Sequence, residues 1–574
     1  MSCQAIPRPE YPRPQLVREN WMNLNGSWQF AFDFGVSGRA RGLHTADALP
    51  ETITVPFCPE SRLSGIGYTD FMAAVWYRRT FTLPEDWQGS RVLLHFGAVD
   101  YRAEVWINGQ SVGTHRGGYS SFQFDITAAL QAGENVVTVC AEDDNRSGKQ
   151  PRGKQSGEYE SHGCDYTRTT GIWQTVWLEA VPQTYIRSLR LTPDEANGKL
   201  QVDVALSGHI HGKLLAIASL DGRPMGERRA CVNGREASVT LCLNEVHRWE
   251  PGSPKLYDLA LTLSAPDGED QVQTYFGMRS LSWDGRAMLL NGKPVFQRLI
   301  LDQGFYPEGI YTAPTDADLK RDIELSMAMG FNGARLHQKM FEPRFLYWAD
   351  KLGYLVWGEH ANWGLNIDGP AGLENFLPEW LETVERDYNH PAIVGWCPFN
   401  ETYLAQDDRV LETVYRVTKQ IDHTRPVIDT SGYVHVITDI FDVHDYDQNP
   451  ETFRARYAPL AAGGEAYVNH PGRDRYEGQP YFVSEYGGIW WNPGQTNSKA
   501  WGYGTNPTSE AEFLARYEGL TMALLENPRI CAFCYTQLTD IEQEVNGLHT
   551  YDRKPKFDPE LIRRINTRKA AIER

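Results

Sequence analysis

The first 182 residues alternate apolar and polar positions in short runs, a pattern that is typical of β-strands. Such runs stand between turn signals at Arg91 to Phe96, Ala103 to Ile107, Phe122 to Ile126, Val136 to Cys140 and Thr175 to Leu178. Because successive side chains of a strand point to opposite faces, the alternation predicts sheets with one buried face. Asn108-Gly109 indicates a hairpin, since both residues tolerate a positive φ. We predict an N-terminal β jelly roll over residues 1–182.

Residues 183–281 continue the β pattern over about 100 residues, the usual size of an immunoglobulin-like sandwich. The runs are Leu200 to Leu206, Leu214 to Ala218, Ser238 to Leu243 and Tyr257 to Leu263. This stretch carries no cluster of polar residues that suggests chemistry. We predict an immunoglobulin-like β-sandwich that orients its neighbours.

From residue 282 the pattern changes to apolar strands that alternate with helical stretches, which is typical of a parallel α/β fold. Eight strands are predicted, at Val295 to Leu301, Gly333 to Leu336, Tyr354 to Trp357, Ile393 to Phe399, Val427 to Asp429, Ile440 to His444, Tyr481 to Ser484 and Ile530 to Tyr535. Helices are predicted at Ala317 to Met329, Arg344 to Lys351, Leu373 to Tyr388, Arg409 to Gln420, Glu510 to Leu525 and Pro559 to Ile572. The Gly- and Pro-rich stretch from Asn449 to Gln479 is predicted to be a rim loop. Residues 282–574 are therefore predicted to form a C-terminal TIM (β/α)8 barrel.

Active sites of this barrel lie at the carboxyl ends of its strands, so residues far apart in sequence are expected to meet there. The strand ends supply the candidate residues Asp302, Arg335, His337, Glu359, Asn362, Asn400, Glu401, His444, Tyr446, Glu485, Gln537 and Asp540. This set is polar and rich in carboxylates. It shows no metal-ligand spacing and no Gly-rich phosphate loop, so we expect neither a metal nor a cofactor.

Glu401 and Glu485 are the most informative of these residues, because each ends an apolar strand where a charge is costly to bury. Two carboxylates at one barrel mouth suit glycoside cleavage, in which one protonates the leaving oxygen and the other attacks the anomeric carbon; a retaining enzyme spaces them about 5 to 5.5 Å apart. We expect Glu485 to be the ionised nucleophile, helped by Arg335 and Tyr446. The apolar strand end before Glu401 is expected to keep this acid/base protonated near neutral pH. Asn400 is expected to hold the 2-hydroxyl of the sugar.

Composition narrows the possible partners. The chain has a net charge of -18 and 17 Trp; the charge disfavours nucleic acid and anionic membranes, and the aromatic residues suit both sheet cores and sugar rings.

The N-terminus lacks an apolar export signal and no run is long enough for a membrane helix, so a cytoplasmic location is expected. Nine scattered Cys suggest reduced thiols, and Cys531-x-x-Cys534 lies in a predicted strand.

The chain resembles glycoside hydrolase family 2, the family of the β-galactosidases and β-glucuronidases. The matching motifs are Leu24-Asn25-Gly26-Ser27-Trp28, Trp76-Tyr77-Arg78-Arg79-Thr80-Phe81, Val105-Trp106-Ile107-Asn108-Gly109, Gly171-Ile172-Trp173, Leu290-Asn291-Gly292-Lys293-Pro294-Val295, Asn389-His390-Pro391, Asn400-Glu401 and Ser484-Glu485-Tyr486-Gly487-Gly488. The resemblance implies the same three domains, with Glu401 as acid/base and Glu485 as nucleophile. By analogy with the family, a homo-oligomer is possible.

The resemblance leaves the sugar open. Family β-glucuronidases carry an Asn-x-Lys that holds the sugar carboxylate, whereas the comparable stretch here is Val545-Asn546-Gly547-Leu548; Asn497-Ser498-Lys499 matches elsewhere in the chain. Arg335-Leu336-His337-Gln338 and Tyr535 also depart from the family pattern. We therefore predict a retaining exo-glycosidase that is β-galactosidase-like, with a β-glucuronidase or a galacto- or arabinofuranosidase as the alternative. A carbohydrate-binding protein without catalysis is the alternative of another class.

Overall fold

The structure is a computed structural model that describes residues 5–402, 406–494 and 496–574. The N-terminal domain consists of two antiparallel sheets that pack over an apolar core. The six-stranded sheet has the order Glu51–Val55, Gly26–Phe32, Ala74–Thr82, Glu134–Glu142, Arg102–Ile107 and Gln110–Arg116, and the four-stranded sheet has the order Trp21–Asn23, Val176–Val181, Arg91–Phe96 and Phe122–Asp125. Val99–Asp100 pairs with Gly171–Ile172, and short 3-10 helices cover Leu43–Thr45, Glu85–Trp87 and Thr127–Ala129. The predicted jelly roll is confirmed.

The middle domain is built around two long strands, Lys199–Leu220 and Arg223–Cys242, that pair with each other. The first half of Lys199–Leu220 also pairs with Ile186–Asp194, and its second half pairs with Tyr257–Ala265, which in turn pairs with Gly268–Phe276. A register shift between Ala205 and Ile210 separates the two halves. Such an irregularity lets one strand bend and serve both faces of a sandwich.

The barrel follows a three-stranded hairpin sheet of Leu281–Trp283, Met288–Leu290 and Lys293–Val295. Barrel strands one to eight are Gln297–Asp302, Gly333–Leu336, Leu355–Glu359, Ile393–Cys397 with its continuation Phe399–Asn400, Thr430–Ser431, Phe441–Asp445, Tyr481–Gly487 and Ile530–Thr536. The neighbouring ladders are parallel, with strand eight beside strand one and the continuation of strand four beside strand five. The predicted (β/α)8 barrel is confirmed, and Cys531 and Cys534 are buried in strand eight.

The helices of the described barrel residues are Asp316–Ala328, Pro343–Leu352, Ala371–Asp387, Asp408–Ile421, Pro450–Ala461, Glu510–Leu525 and Pro559–Asn566. The helix Pro450–Ala461 corrects the prediction of a rim loop from Asn449. It starts at an Asn449 cap and buries Phe453, Tyr457 and Leu460 on one face; an internal proline and the Gly-rich stretch after it hid this periodicity.

The last helix and strand five also differ from the predictions. The last helix ends at Asn566 rather than Ile572, and a separate 3-10 turn covers Ala571–Glu573. The ladder of strand five lies at Thr430–Ser431, with only an isolated bridge to Val427 in the predicted range. No helix among the described residues is long and apolar enough to cross a membrane.

Candidate active site

Glu401 and Glu485 meet at the carboxyl ends of strands four and seven, as predicted. One carboxylate oxygen of each, together with a ring nitrogen of His444, lie within 4.8 Å of one another. The backbone of Glu401 has a φ of 43°, in the left-handed region that non-glycine residues rarely adopt, and its N–H donates to Ser431 O at 2.9 Å. Backbone in this region persists where its surroundings enforce it, often at functional sites.

Arg335 organises the nucleophile side of the site. Its guanidinium, which is only 2% exposed, donates from Nε to Glu359 at 2.7 Å, from Nη1 to Glu485 Oε1 at 2.8 Å and from Nη2 to Asn400 Oδ1. The Tyr446 hydroxyl donates to the other oxygen of Glu485. Arg335 and Tyr446 thus both contact Glu485, and their help to a nucleophile stays a prediction.

These partners decide the charge of Glu485. Burial by itself raises the pKa of this carboxyl, but the positive charges of His444 and Arg335 outweigh burial and hold its pKa below the ordinary value. Glu485 is thus ionised, as a nucleophile requires.

The pKa of Glu401 is shifted in the direction opposite to the one that the apolar strand end predicts. Burial does push its pKa up, yet His444 Nδ1 lies 2.7 Å from Glu401 Oε1, and this hydrogen bond and charge, with help from Lys154, lower the pKa to about 2. The side chain of Glu401 is also 36% exposed, so the apolar strand end desolvates it less than we expected. These contacts therefore favour the ionised form of Glu401 in the free protein.

Glu359 and Asn362 support other site residues. Glu359 accepts from Arg335 and from the backbone of Gln338 at 3.0 Å, and although burial raises its pKa, Arg335 and His337 bring it down to about 2. Asn362 Oδ1 accepts from the backbone N–H of Asn400 at 2.9 Å and from the Gln338 side chain. Both predicted substrate-binding residues thus have protein partners that hold Arg335 and Asn400 in place.

Asn400 has a donor that no described residue uses, whereas His337 lies beside two carboxylates. Asn400 Nδ2 is buried and has no hydrogen-bond partner among the described residues, as a group that awaits a sugar hydroxyl would be. His337 Nδ1 lies 3.1 Å from Glu359 Oε1 and 3.8 Å from Glu485 Oε1. Burial lowers the pKa of His337, so its ring is neutral near pH 7.

Asp302, which ends strand one, and Asp540, which follows strand eight, have partners other than Glu401 and Glu485. Asp302 accepts from the Gly304 backbone at 2.9 Å, and burial together with the Asp322 charge raises its pKa to about 7. Asp540 pairs with Lys556 at 2.6 Å, and burial raises its pKa to about 6. A role of Asp302 in sugar binding stays a prediction.

Gln537 belongs to a chain of hydrogen bonds along one wall of the mouth. It accepts from Gln303 at 2.8 Å and donates to Asn546 Oδ1 at 2.8 Å; Asn546 donates to Glu544 at 2.8 Å, and Tyr166 donates to the same carboxylate. Tyr166 belongs to the jelly-roll domain, so that domain contributes to the wall.

Lys154, also from the jelly-roll domain, is the residue that the sequence patterns missed most clearly. It is 6% exposed, and its ammonium lies 3.8 Å from the ring centre of Trp363, whose Nε1 donates to Asn400 O at 3.1 Å. Burial lowers its pKa, but the charges of Glu544, Glu401 and Glu485 are among those that raise it above the ordinary value. Lys154 forms no ion pair with a described residue. The only sequence signal for this contribution is the long polar stretch 143–170, which lacks a strand pattern.

The oxygen, nitrogen and oxygen atoms of Glu401, His444 and Glu485 could together hold a divalent cation. Each of these atoms already has a protein partner, and the two-carboxylate chemistry needs no metal. The expectation of no metal stays a prediction.

Comparison with known proteins agrees with this geometry. Residues 21–182 match the sugar binding domain of glycosyl hydrolases family 2, residues 184–279 match the domain named for the family itself, and residues 287–568 match its TIM barrel domain. The chain is 27% identical over 476 residues to a β-glucuronidase of Canis lupus familiaris, covering 74% of this chain and 70% of that one. It is 26% identical over 403 residues to a β-galactosidase of Thermoanaerobacter pseudethanolicus, covering 67% and 52%.

Among solved structures, a β-glucuronidase from Ruminococcus gnavus in complex with an N1-substituted uronic isofagomine superposes with a TM-score of 0.80 at 19% identity, covering 97% of this chain and 99% of that one. At that identity the likeness concerns the fold. The chain belongs to glycosyl hydrolase family 2 and is a glycoside hydrolase.

Proposed function

We propose that the protein is a retaining exo-glycosidase with Glu485 as nucleophile and Glu401 as acid/base. The observation that carries this proposal is the separation of the two carboxylates, whose oxygens come within 4.8 Å of each other. A retaining enzyme needs about 5 to 5.5 Å between its carboxyl groups, whereas an inverting one needs about 6.5 to 9.5 Å to admit a water between them.

The contacts support the following steps. Glu485, held ionised by Arg335, attacks the anomeric carbon while the acid/base protonates the leaving oxygen, which breaks the glycosidic bond. A water then attacks the glycosyl-enzyme with Glu401 as the base, and Glu485 leaves. Asn400 Nδ2 is the donor available to the 2-hydroxyl.

For the sugar we propose a β-glucuronide. The relatives support glucuronide over the galactoside that the missing Asn-x-Lys had favoured. Lys154 has a buried ammonium that could hold a sugar carboxylate. Arg335 is less suited to this role, because it already donates hydrogen bonds to Glu359, Glu485 and Asn400. Lys499 of the other Asn-x-Lys instead contacts Glu160 at the surface.

Glu544 favours a second candidate, a neutral galactoside or furanoside. It lies one residue before the stretch that lacks the lysine, and its carboxylate is 3% exposed in the wall of the mouth. A carboxylate there would accept hydrogen bonds from sugar hydroxyls and repel a uronate.

A panel of nitrophenyl glycosides that contains glucuronide, galactoside and furanosides tests the choice. We expect glucuronide to have the highest kcat/KM and Lys154→Met to lower that value at least ~100-fold through KM, with little change for a neutral sugar. Fastest release of galactose or a furanose would overturn the glucuronide assignment. If no sugar is released while a sugar ligand still raises Tm, the protein is a carbohydrate-binding one.

A further inference from the structure

Contacts to the backbone and to the ring fix the position of His444. It lies on strand six, is 7% exposed, and exchanges two backbone hydrogen bonds with the Asn469 side chain, at 3.0 and 2.8 Å. Its ring rests on Gly432, which has a φ of 64° and where an added Cβ would lie 2.2 Å from the ring. The absence of a side chain at position 432 therefore leaves room for the imidazole ring of His444.

Two oxygen neighbours of His444 Nε2 favour a hydrogen on this nitrogen. Nε2 lies 3.0 Å from Ser431 Oγ, and the single hydroxyl hydrogen of Ser431 is directed to Asp442 Oδ2 at 2.5 Å. With this orientation Ser431 accepts from His444, and Glu485 Oε1 offers a second acceptor at 3.4 Å, whereas the donor Arg335 Nη1 lies 3.4 Å from the same nitrogen. Asp442 is kept ionised by the nearby His435, at 3.3 Å.

A proton therefore lies between His444 Nδ1 and Glu401 Oε1, which are 2.7 Å apart. If Nε2 is protonated, a neutral ring leaves Nδ1 bare and requires a protonated Glu401, while a charged ring faces a carboxylate. In both cases the pair holds one proton across this short contact.

We propose that Glu401 and His444 act as one acid/base unit, with the catalytic proton held on His444 in the free enzyme and His444 as the positioning residue. This inference rests on the proposed function, since it concerns how that reaction obtains its proton. Ser431 and Asp442 fix the ring so that Nδ1 faces Glu401.

The proton transfers balance across the two steps. In the first, the Nδ1 proton moves to the Glu401 carboxylate, which passes it to the glycosidic oxygen as the bond to the anomeric carbon breaks and a Glu485 oxygen bonds to that carbon. In the second, a water oxygen bonds to the carbon, the bond to Glu485 breaks, and the water proton moves to Glu401 and back to His444.

The charges around the His444 ring agree with a proton held on His444. Burial lowers the pKa of His444, but Glu485 on strand seven and Glu401 after strand four outweigh burial and raise it above the ordinary value, against Arg335 on strand two. Asp442 faces the ring through Ser431, and Lys154 of the jelly-roll domain faces Glu401.

The variant His444→Asn tests the proposal, because it keeps a hydrogen-bond donor near Glu401 but cannot release a proton. We expect its kcat/KM to fall at least ~100-fold for a glycoside with an alkyl aglycone and less than ~5-fold for a 2,4-dinitrophenyl glycoside, which leaves without protonation. The alkaline limb of the pH profile should move down by at least ~1 unit, since Glu401 alone must then hold the proton. Glu485→Gln should impair both substrates, and the exposed control His423→Asn neither.

Equal losses on both aglycones, or an unmoved alkaline limb, would overturn the proposal. Nitrogen-15 NMR of labelled histidine gives a readout that needs no turnover: comparison with His444→Asn identifies the His444 signals, and both ring nitrogens should be protonated at pH 7. A bare Nδ1 at that pH would also overturn it. If the wild type cleaves no glycoside, the proposed function fails, and the NMR result still decides where the proton lies.

Discussion

Two buried arginines at the barrel mouth each contact a carboxylate, but we expect one to support catalysis and the other to support stability. Arg335 contacts Glu359 and Glu485, and the second of these faces the open mouth. Arg553 contacts both oxygens of Asp322 at 3.0 and 3.1 Å, and its other donors reach backbone carbonyls.

The difference lies in which of the two clusters contains a partly exposed carboxylate. Beside Arg335, Asn400 Nδ2 is buried without a partner among the described residues and Glu401 is partly exposed. Around Arg553, the hydrogen bonds tie Phe305, which follows strand one, to the helix Asp316–Ala328. The guanidinium also lies 4.2 Å from the ring centre of Tyr306, whose hydroxyl has no hydrogen-bond partner among the described residues, but Tyr306 and Asp322 are both buried. A buried polar atom without a partner is thus a sign of function only where an accessible reactive group lies beside it.

Exchange of each arginine for methionine should separate the two roles most strongly. Arg335→Met should reduce kcat at least ~1,000-fold, because the nucleophile loses its cation and Asn400 its partner. Arg553→Met should lower the free energy of unfolding by about 3 to 5 kcal/mol, since Asp322 is left buried and unpaired, while folded protein keeps its kcat within a few-fold.

Denaturant unfolding and kinetics on both variants check this prediction. Similar losses of kcat in the two variants would contradict the different roles proposed for Arg335 and Arg553. A stable, inactive Arg553→Met variant would place that cluster in the catalytic site instead.

Asp302→Asn should sharpen the same comparison with a smaller effect. The raised pKa of Asp302, about 7 against an ordinary 3.8, means that its contribution to stability is present below pH 3.8 and is lost as the pH rises through 7. The amide removes this loss, so the variant should be more stable than the wild type at pH 8, by a few kcal/mol at most, and equal to it near pH 4.

Unfolding of the variant and the wild type in urea at pH 4, 6 and 8 measures this difference. Lower stability of Asp302→Asn at pH 8 would mean that Asp302 is needed as a charge beside Arg553. A large loss of kcat would restore Asp302 to the sugar site, where its strand-end position had first placed it.

Much of the fold could be predicted because it rests on local periodicity. Eight apolar strands spaced by helices define the barrel, and their ends bring Arg335, Glu401 and Glu485 together. The helix Pro450–Ala461 could not be recognised, since proline and the following glycines break a periodicity that only tertiary burial of Phe453 and Tyr457 makes visible.

The site was less predictable where contacts cross domains. The approach of Lys154 to Trp363 depends on how the jelly roll docks on the barrel, which no local pattern encodes. The low pKa of Glu401 depends mainly on its hydrogen bond with His444, a residue from another strand, whereas desolvation by its sequence neighbours predicts a raised pKa.

Proton NMR of the sugar first released by the wild type tests the central claim most directly, with Glu485→Ala and Glu401→Ala as folded controls. The spacing of Glu401 and Glu485 predicts that the β anomer appears first from a β-glycoside and mutarotates later, and that each alanine variant keeps its Tm but loses turnover. Initial release of the α anomer, or near-normal kcat in either variant, would contradict the proposed roles of the two carboxylates.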